Sequence, residues 1–145
     1  MVEEQRIRLV VIDDDLDICE VLRVVATHHP SIEWIGSALS PEEAVPMCRA
    51  SRPDAILLDH HFMSAEPAEP SAPDGPRRPI RGLSGLEAVE YLRAVAPDAV
   101  IAVHTGAAGL GASVMHSGAD LYLRKGVDPN TTLDEVAEHI RQRRG

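Results

Sequence analysis

Apolar and polar positions along the chain alternate between two rhythms. Residues 7–12, IRLVVI, form a short β-rich run that ends in DDDLD, after which Ile18, Leu22 and Val25 recur at helical spacing. IEWIGSA (32–38) reads as a second strand. SPEEAVPMCRA then opens a helix with Ser40 as N-cap, Pro41 at the first helical position and Glu43 closing a capping box, and Pro46 is expected to shorten or kink it. DAILLD (54–59) is the third strand, and Ser84 with Glu87 repeats the capping pattern before a stripe of Leu86, Val89 and Leu92. AVIAVHT (99–105) and DLYLRK (120–125) supply the last two strands. Thr132, with Glu135 three residues on, is expected to cap a final helix whose inner face carries Leu133, Val136, Ala137 and Ile140.

This alternation predicts an α/β domain with a doubly wound parallel sheet and right-handed crossovers. At 145 residues the chain suits one domain with a core of its own. Its apolar residues are mostly aliphatic, with only 3% aromatics, the palette of parallel strands buried under helices. A net charge of −9 argues against direct binding to nucleic acid or to anionic membrane, since both need clustered positive charge. No apolar run approaches the roughly 20 residues that span a bilayer, and no leader pattern opens the chain, so a cytoplasmic protein is expected. Cys19 and Cys48 lie in patterned helical segments without CxxC spacing and read as buried free thiols.

Doubly wound sheets keep their chemistry at the C-terminal edge of the strands. At that edge the first strand delivers Asp13, Asp14 and Asp15, the third Asp59, the fourth Thr105 and the fifth Lys125. Asp59 is followed by His60 and His61, which leaves three readings: a metal site of all three, an Asp-His-His hydrolase motif, or a nucleophilic carboxylate at a strand end. Hydrolases of that kind hold two metals with several further Asp and His residues. No second such cluster is present, and His104 and His116 lack metal-ligand spacing to the motif. An acid at a strand end often only caps the next helix, so Asp14 or Asp15 alone carries little weight. The conjunction carries more. Asp13, Asp14 and Asp59 offer hard oxygen ligands suited to Mg²⁺, Lys125 can pair with the acceptor or with an added phosphoryl group, and the Thr105 hydroxyl can donate to a phosphoryl oxygen. Together they describe a phosphoacceptor site.

Four segments in order, LVVIDDDLDI, PDAILLD, IAVHTG and GADLYLRK, resemble the response-regulator receiver domain of two-component signalling over essentially the whole chain, 1–145. The resemblance implies a (βα)₅ flavodoxin-like fold in which Asp59 is the phosphoacceptor. Mg²⁺ would be held by Asp13, Asp14, Asp59 and the backbone carbonyl of His61, with Thr105 and Lys125 completing the site. By the same resemblance the His61 ring stands at the mouth of the site, where it would influence water access to the acyl phosphate. The phosphoryl donor would be a histidine kinase, a phosphotransfer protein or acetyl phosphate. The output would be a surface, coupled through Thr105 and Tyr122, that binds a downstream protein or a second copy of the chain. Such a protein is a signalling switch, not an enzyme. With the sequence ending after its last helix, a stand-alone receiver or a fragment of a larger regulator is expected.

The chain departs from that pattern at three places. Residues 64–82 carry prolines at 67, 70, 73, 76 and 79, a spacing of three that matches polyproline II and excludes helix or inner strand. This segment reads as an insertion beside Asp59, either a solvated loop or a semi-rigid arm recognised by a partner, with Gly85 taking the place of the glycine that usually follows the acceptor. GAAGLGASVMHSGAD after Thr105 is glycine-rich, so the helix there is expected to be short or unstable. Gly126 follows Lys125 where many receivers have proline, and because a non-proline cis bond costs about 2.5–4 kcal/mol, altered geometry or strain is expected. These departures define the alternative: a pseudo-receiver that binds a partner through the proline-rich arm without phosphorylation.

Overall fold

The run Ile7–Ile12 becomes β1, and its interior shows why the strand is central: Leu9, Val10, Val11 and Ile12 are all fully buried, so both faces are covered. The structure, a computed structural model, describes residues 5–59, 85–106 and 118–144. Chain order is β1, α1 (Leu16–His28), β2 (Ile32–Ala38), α2 (Pro41–Ser51), β3 (Ala55–Asp59), α3 (Gly85–Val95), β4 (Val100–Thr105), β5 (Leu121–Arg124) and α4 (Pro129–Arg144). His60, His61, Ser84, the proline-rich 64–82 and the glycine-rich 107–117 lie outside the described residues, together with what was expected of them.

The five strands form one parallel sheet in the order β2-β1-β3-β4-β5. Strand order reverses between β1 and β3, and the crevice beyond their carboxyl ends is where such a sheet holds its site. The pleat sorts side chains onto two sides. Leu9 and Val11 of β1 and Leu57 of β3 pack with Cys19, Leu22 and Ala26 of α1 and with Leu133, Val136, Ala137 and Ile140 of α4. Val10, Ile12, Ile56 and Leu58 pack with Ala44, Val45 and Cys48 of α2 and Val89 and Leu92 of α3. Both cysteines are free and buried, as expected. On α1 the inner stripe is centred on Cys19, Leu22 and Ala26, while Ile18 and Val25 flank it half-buried.

Helix starts separate local signals that hold from those that do not. Ser40 caps α2, accepting from the Glu43 amide at 3.2 Å, while the Glu43 carboxylate turns back to the Leu39 amide at 3.0 Å, one residue earlier than in a standard capping box. Pro46 does not shorten α2, which runs to Ser51 with the ring on an exposed position. The cap expected at Thr132 is not there. Asp128 accepts from the Asn130 amide at 2.8 Å through its carboxylate and from the Thr132 amide at 3.2 Å through its carbonyl, and Pro129 opens the helix. Thr132 is buried within α4. An Asp-Pro pair is itself a start signal, and α4 takes the earlier one because starting there adds a turn.

The structure contains no cis peptide among the described residues, so Lys125–Gly126 is not strained in that way. Gly126 instead adopts φ +89°, a conformation that L side chains rarely take, with nothing within 4 Å of the place a Cβ would occupy. Its requirement is backbone conformation, not space. In urea titrations, Asp128→Ala is expected to cost about 1 kcal/mol of stability, whereas Thr132→Val should stay within about 0.5 kcal/mol. The reverse order would restore the cap to Thr132. Gly126→Ala is expected to cost on the order of 1–2 kcal/mol despite the open space around it.

Candidate functional site

Three carboxylates meet where β1 and β3 end. Ligand oxygens of Asp13, Asp14 and Asp59 all lie within 4.8 Å of one another, with Asp13 and Asp59 buried and Asp14 exposed. Each of the three consecutive acids after β1 has its own task. Asp15 is the N-cap of α1, its side chain accepting from the amides of Asp17 and Ile18, so it is spent on the helix. Asp13 is held from both sides: its amide donates to the Ala38 carbonyl at 3.0 Å, its carbonyl accepts from Cys19 Sγ at 3.3 Å, and its Oδ1 accepts from the Asp15 amide at 2.9 Å. Asp14 is left at the open side of the cluster.

Lys125 enters from the end of β5. Its Nζ lies 3.1 Å from Asp59 Oδ1 and 3.3 Å from Asp13 Oδ2, and its amide donates to the Thr105 carbonyl at 2.6 Å, which ties the base of the side chain to β4. Asp13 Oδ2 is buried and, although ion-paired at that distance, makes no hydrogen bond. Burial raises the pKa of Asp13, helped by the Asp59 charge and opposed by the Asp15 amide and by Lys125. Burial also works to lower that of Lys125, but its hydrogen bond to Asp59 and the charges of Asp59 and Asp13 outweigh it, so the ammonium is held above its usual range. Among the described residues, one ammonium, that of Lys125, faces these three carboxylates. At about 4 Å, two like charges repel by about 4 kcal/mol even at an effective dielectric of 20. A cluster of three carboxylates with an unsatisfied buried oxygen, Asp13 Oδ2, fits a divalent cation.

β3 and β4 pair Asp59 with His104, so the next residue, fully buried Thr105, sits at the same rim. Thr105 falls on the α2/α3 side of the sheet. Tyr122, in register with Val103, shares that side and packs half-buried against Val103 and Ala119. The structure thus brings Asp13, Asp14, Asp59, Thr105 and Lys125 to one edge, and His61 lies outside the described residues. Two residues of the site's surroundings had no role in the sequence reading. Cys19 fixes the Asp13 carbonyl, a contact that becomes legible only once α1 is docked. His104, 7% exposed, stands beside Asp59 at an inward position of a strand, and its place in an otherwise apolar run is the signal that marks it.

Comparison with known proteins agrees with this architecture. The CheY-like response-regulator receiver domain protein of Methanospirillum hungatei JF-1 superposes with a TM-score of 0.68 and 22% identity, covering 95% of this chain and 96% of that one. The isolated REC domain of RcsB from Salmonella enterica serovar Typhimurium, solved with the phosphomimetic BeF3-, gives 0.68 at 13% identity, covering 95% and 90%. A Burkholderia pseudomallei response regulator with a phosphorylated aspartic acid gives 0.62 at 24% identity, covering 95% and 72%. The chain therefore has the receiver fold, a five-stranded flavodoxin-like α/β domain. In sequence it is 38% identical, over 56 residues or 39% of its length, to a protein-glutamate methylesterase/protein-glutamine glutaminase of Rhodopseudomonas palustris, of which the matched stretch spans 15%. No family model matches the chain.

Burial pushes the His104 imidazole down to about 4, with Lys125 acting in the same direction and Asp59 against it. The unfolded chain therefore takes up this proton first as pH falls. The stability contributed by the neutral ring is complete above about pH 6.5 and is lost between there and about pH 4, roughly 3 kcal/mol in all. In metal-free buffer, urea unfolding at pH 7 and at pH 4 should show a fall in stability that is smaller in His104→Val by about that amount. Equal falls in the two proteins would mean that the ring is not buried neutral.

Proposed function

We propose that this chain, over 1–145, is a phosphoacceptor receiver domain in which Asp59 is reversibly phosphorylated. The observation that carries the reading is Lys125 Nζ placed between Asp59 Oδ1 and Asp13 Oδ2 at the rim of a receiver fold. An Asp59 oxygen attacks the phosphorus of the donor while the bond to the leaving group, an imidazole nitrogen of a histidine kinase or phosphotransfer protein or the carboxylate of acetyl phosphate, breaks. Asp13, Asp14, Asp59 and the His61 carbonyl would hold Mg²⁺. When bound, it offsets the repulsion between the attacking carboxylate and the anionic donor.

Lys125 is the residue that changes partner. Its ammonium neutralises Asp59 before transfer and pairs with a phosphoryl oxygen afterwards, without having to leave the rim. Thr105 donates its hydroxyl to another phosphoryl oxygen. Since Thr105 shares its side of the sheet with Tyr122, a shift of the first is transmitted to the packing of the second against Val103 and Ala119. The result is a population shift of a surface that binds a downstream protein or a second copy of the chain. The chain then acts in the cytoplasm as a switch and not as an enzyme. Among the described residues no helix is long and apolar enough to cross a membrane. By sequence, residues 64–82 would be an insertion of this domain between the acceptor Asp59 and α3.

Incubation with Mg²⁺ and acetyl phosphate, followed by intact mass, should show one added phosphoryl group that is absent in Asp59→Asn. Asp13→Asn should slow its formation by about two orders of magnitude, and chelation of the metal should abolish it. An adduct that survives Asp59→Asn would move the acceptor elsewhere. No adduct from acetyl phosphate or from any histidine kinase would favour a receiver that works without phosphorylation.

A further inference from the structure

A cavity of about 380 Å³ opens between the C-terminal ends of α2 and α3. Each of these helices leads into the start of the next strand, so the cavity lies at the amino edge of the sheet, opposite the Asp59 rim. Its walls are Arg49 and Arg52 at the end of α2 and Tyr91, Ala94 and Val95 of α3. Among the described residues no carboxylate lines it, and neither guanidinium has a hydrogen bond or ion pair. Asp54, two residues beyond Arg52, is held by Arg144 at 3.5 Å and by the Arg8 amide at 2.9 Å. The carbonyls that end α2 are served by Arg8, whose guanidinium donates to those of Ser51 and Arg52. The Arg52 side chain is therefore not needed as a cap. Its backbone, at φ +50° and ψ +68°, is left-handed, and among the described residues no other non-glycine has a positive φ. Glycine is favoured at that position of a helix end, so an arginine there costs stability. Arg49 alone would be accounted for by the helix dipole, but a like charge three residues on repels it. Two unpaired cations in one concavity, one of them on a strained backbone, point to an anion.

We propose that this cavity binds a small phosphate monoester carried on a planar ring, a nucleoside monophosphate or an aryl phosphate. The charge selects the monoester. With a second pKa of about 6 it is close to a dianion at neutral pH and matches two guanidiniums, whereas a carboxylate or a phosphodiester brings one charge. The planar fork of each arginine can pair with two phosphate oxygens at once. The C-terminal ends of α2 and α3 oppose an anion, but at about half a unit of charge each they are outweighed by two full cations. Tyr91 selects the ring. It is 46% exposed and lies one helical turn from Ala94 and Val95, so the three offer a flat apolar wall on which a ring can stack and from which free phosphate gains nothing. The volume falls in the range of roughly 300–1,000 Å³ usual for small-molecule sites. The proposal does not depend on phosphorylation of Asp59, which stands at the other edge of the sheet.

Adenosine monophosphate and phenyl phosphate, with adenosine, phenol and inorganic phosphate as their parts, are titrated without Mg²⁺ into the 145-residue chain while the Tyr91 ring and the Ala94 and Val95 methyl signals are followed by NMR. At least one monoester should shift all three saturably, and the tighter of the two identifies the ring. Its ring alone and inorganic phosphate alone should each bind at least about tenfold more weakly. Arg52→Gly relieves the backbone, so it should unfold at no lower urea concentration than the unmodified protein while losing about tenfold in affinity. Arg49→Gln should lose a similar factor, and Tyr91→Leu should bring the monoester to within about twofold of inorganic phosphate. The titrations of the unmodified protein decide the matter even if a variant fails to fold. No saturable shift with either monoester, inorganic phosphate or a ring alone binding as tightly as the monoester, or an unchanged affinity in Arg52→Gly would each overturn the proposal.

Discussion

The ion pairs that Lys125 makes with Asp13 and Asp59 are what allow this sheet to end as it does. Two buried carboxylates at the ends of adjacent central strands, with a third exposed beside them, would repel one another in a medium that screens poorly. An ammonium within 3.3 Å of both removes much of that cost. It does not remove all of it, as the raised pKa of Asp13 and the unsatisfied Asp13 Oδ2 record. The remaining deficit is a property of the site. Among the described residues three carboxylates meet one ammonium there, a donor set that gains from a divalent cation.

Everything around that interaction serves to place three oxygens and one nitrogen. β1 ends one residue before Asp13 because the Asp13 amide still pairs with Ala38 while its carboxylate folds back to Asp15. α1 begins where it does because Asp15 caps it, and the same helix returns Cys19 to the Asp13 carbonyl. Lys125 is anchored through its own amide to Thr105, so the two residues that would follow an added phosphoryl group are joined by backbone before any ligand arrives. The left-handed Gly126 then turns the chain at once into Asp128 and α4, whose apolar face closes the core on that side.

The end of β4 divides the rim into two neighbourhoods. Thr105 looks to the α2/α3 side, where Tyr122 packs, and His104 to the α1/α4 side. Lys125 touches both. A strand buried on both faces ordinarily carries apolar residues at such positions, and its neighbours Ile101, Ala102 and Val103 do. His104 is the exception, and it lines a cavity beside α1.

Much of this was legible in residue order alone. The two hydrophobic periods set five strands and the helices between them, because burial on both faces of a parallel sheet and on one face of a helix leaves different spacings. The strand ends named Asp13, Asp14, Asp59, Thr105 and Lys125, because a doubly wound topology sends every strand's carboxyl end to the same edge. What the chain could not say by itself was how neighbours compete. Which of three consecutive acids caps α1, and whether Asp128 or Thr132 begins α4, depend on where each helix docks. Whether Lys125–Gly126 is cis or a left-handed turn depends on how β5 meets α4. That His104 lines a cavity beside α1 depends on the distance between α1 and the turn after β5. Sequence periodicity reports which face a residue is on; only the packed structure decides what stands opposite it, because burial energies and charge interactions are set by distances between segments that are remote along the chain.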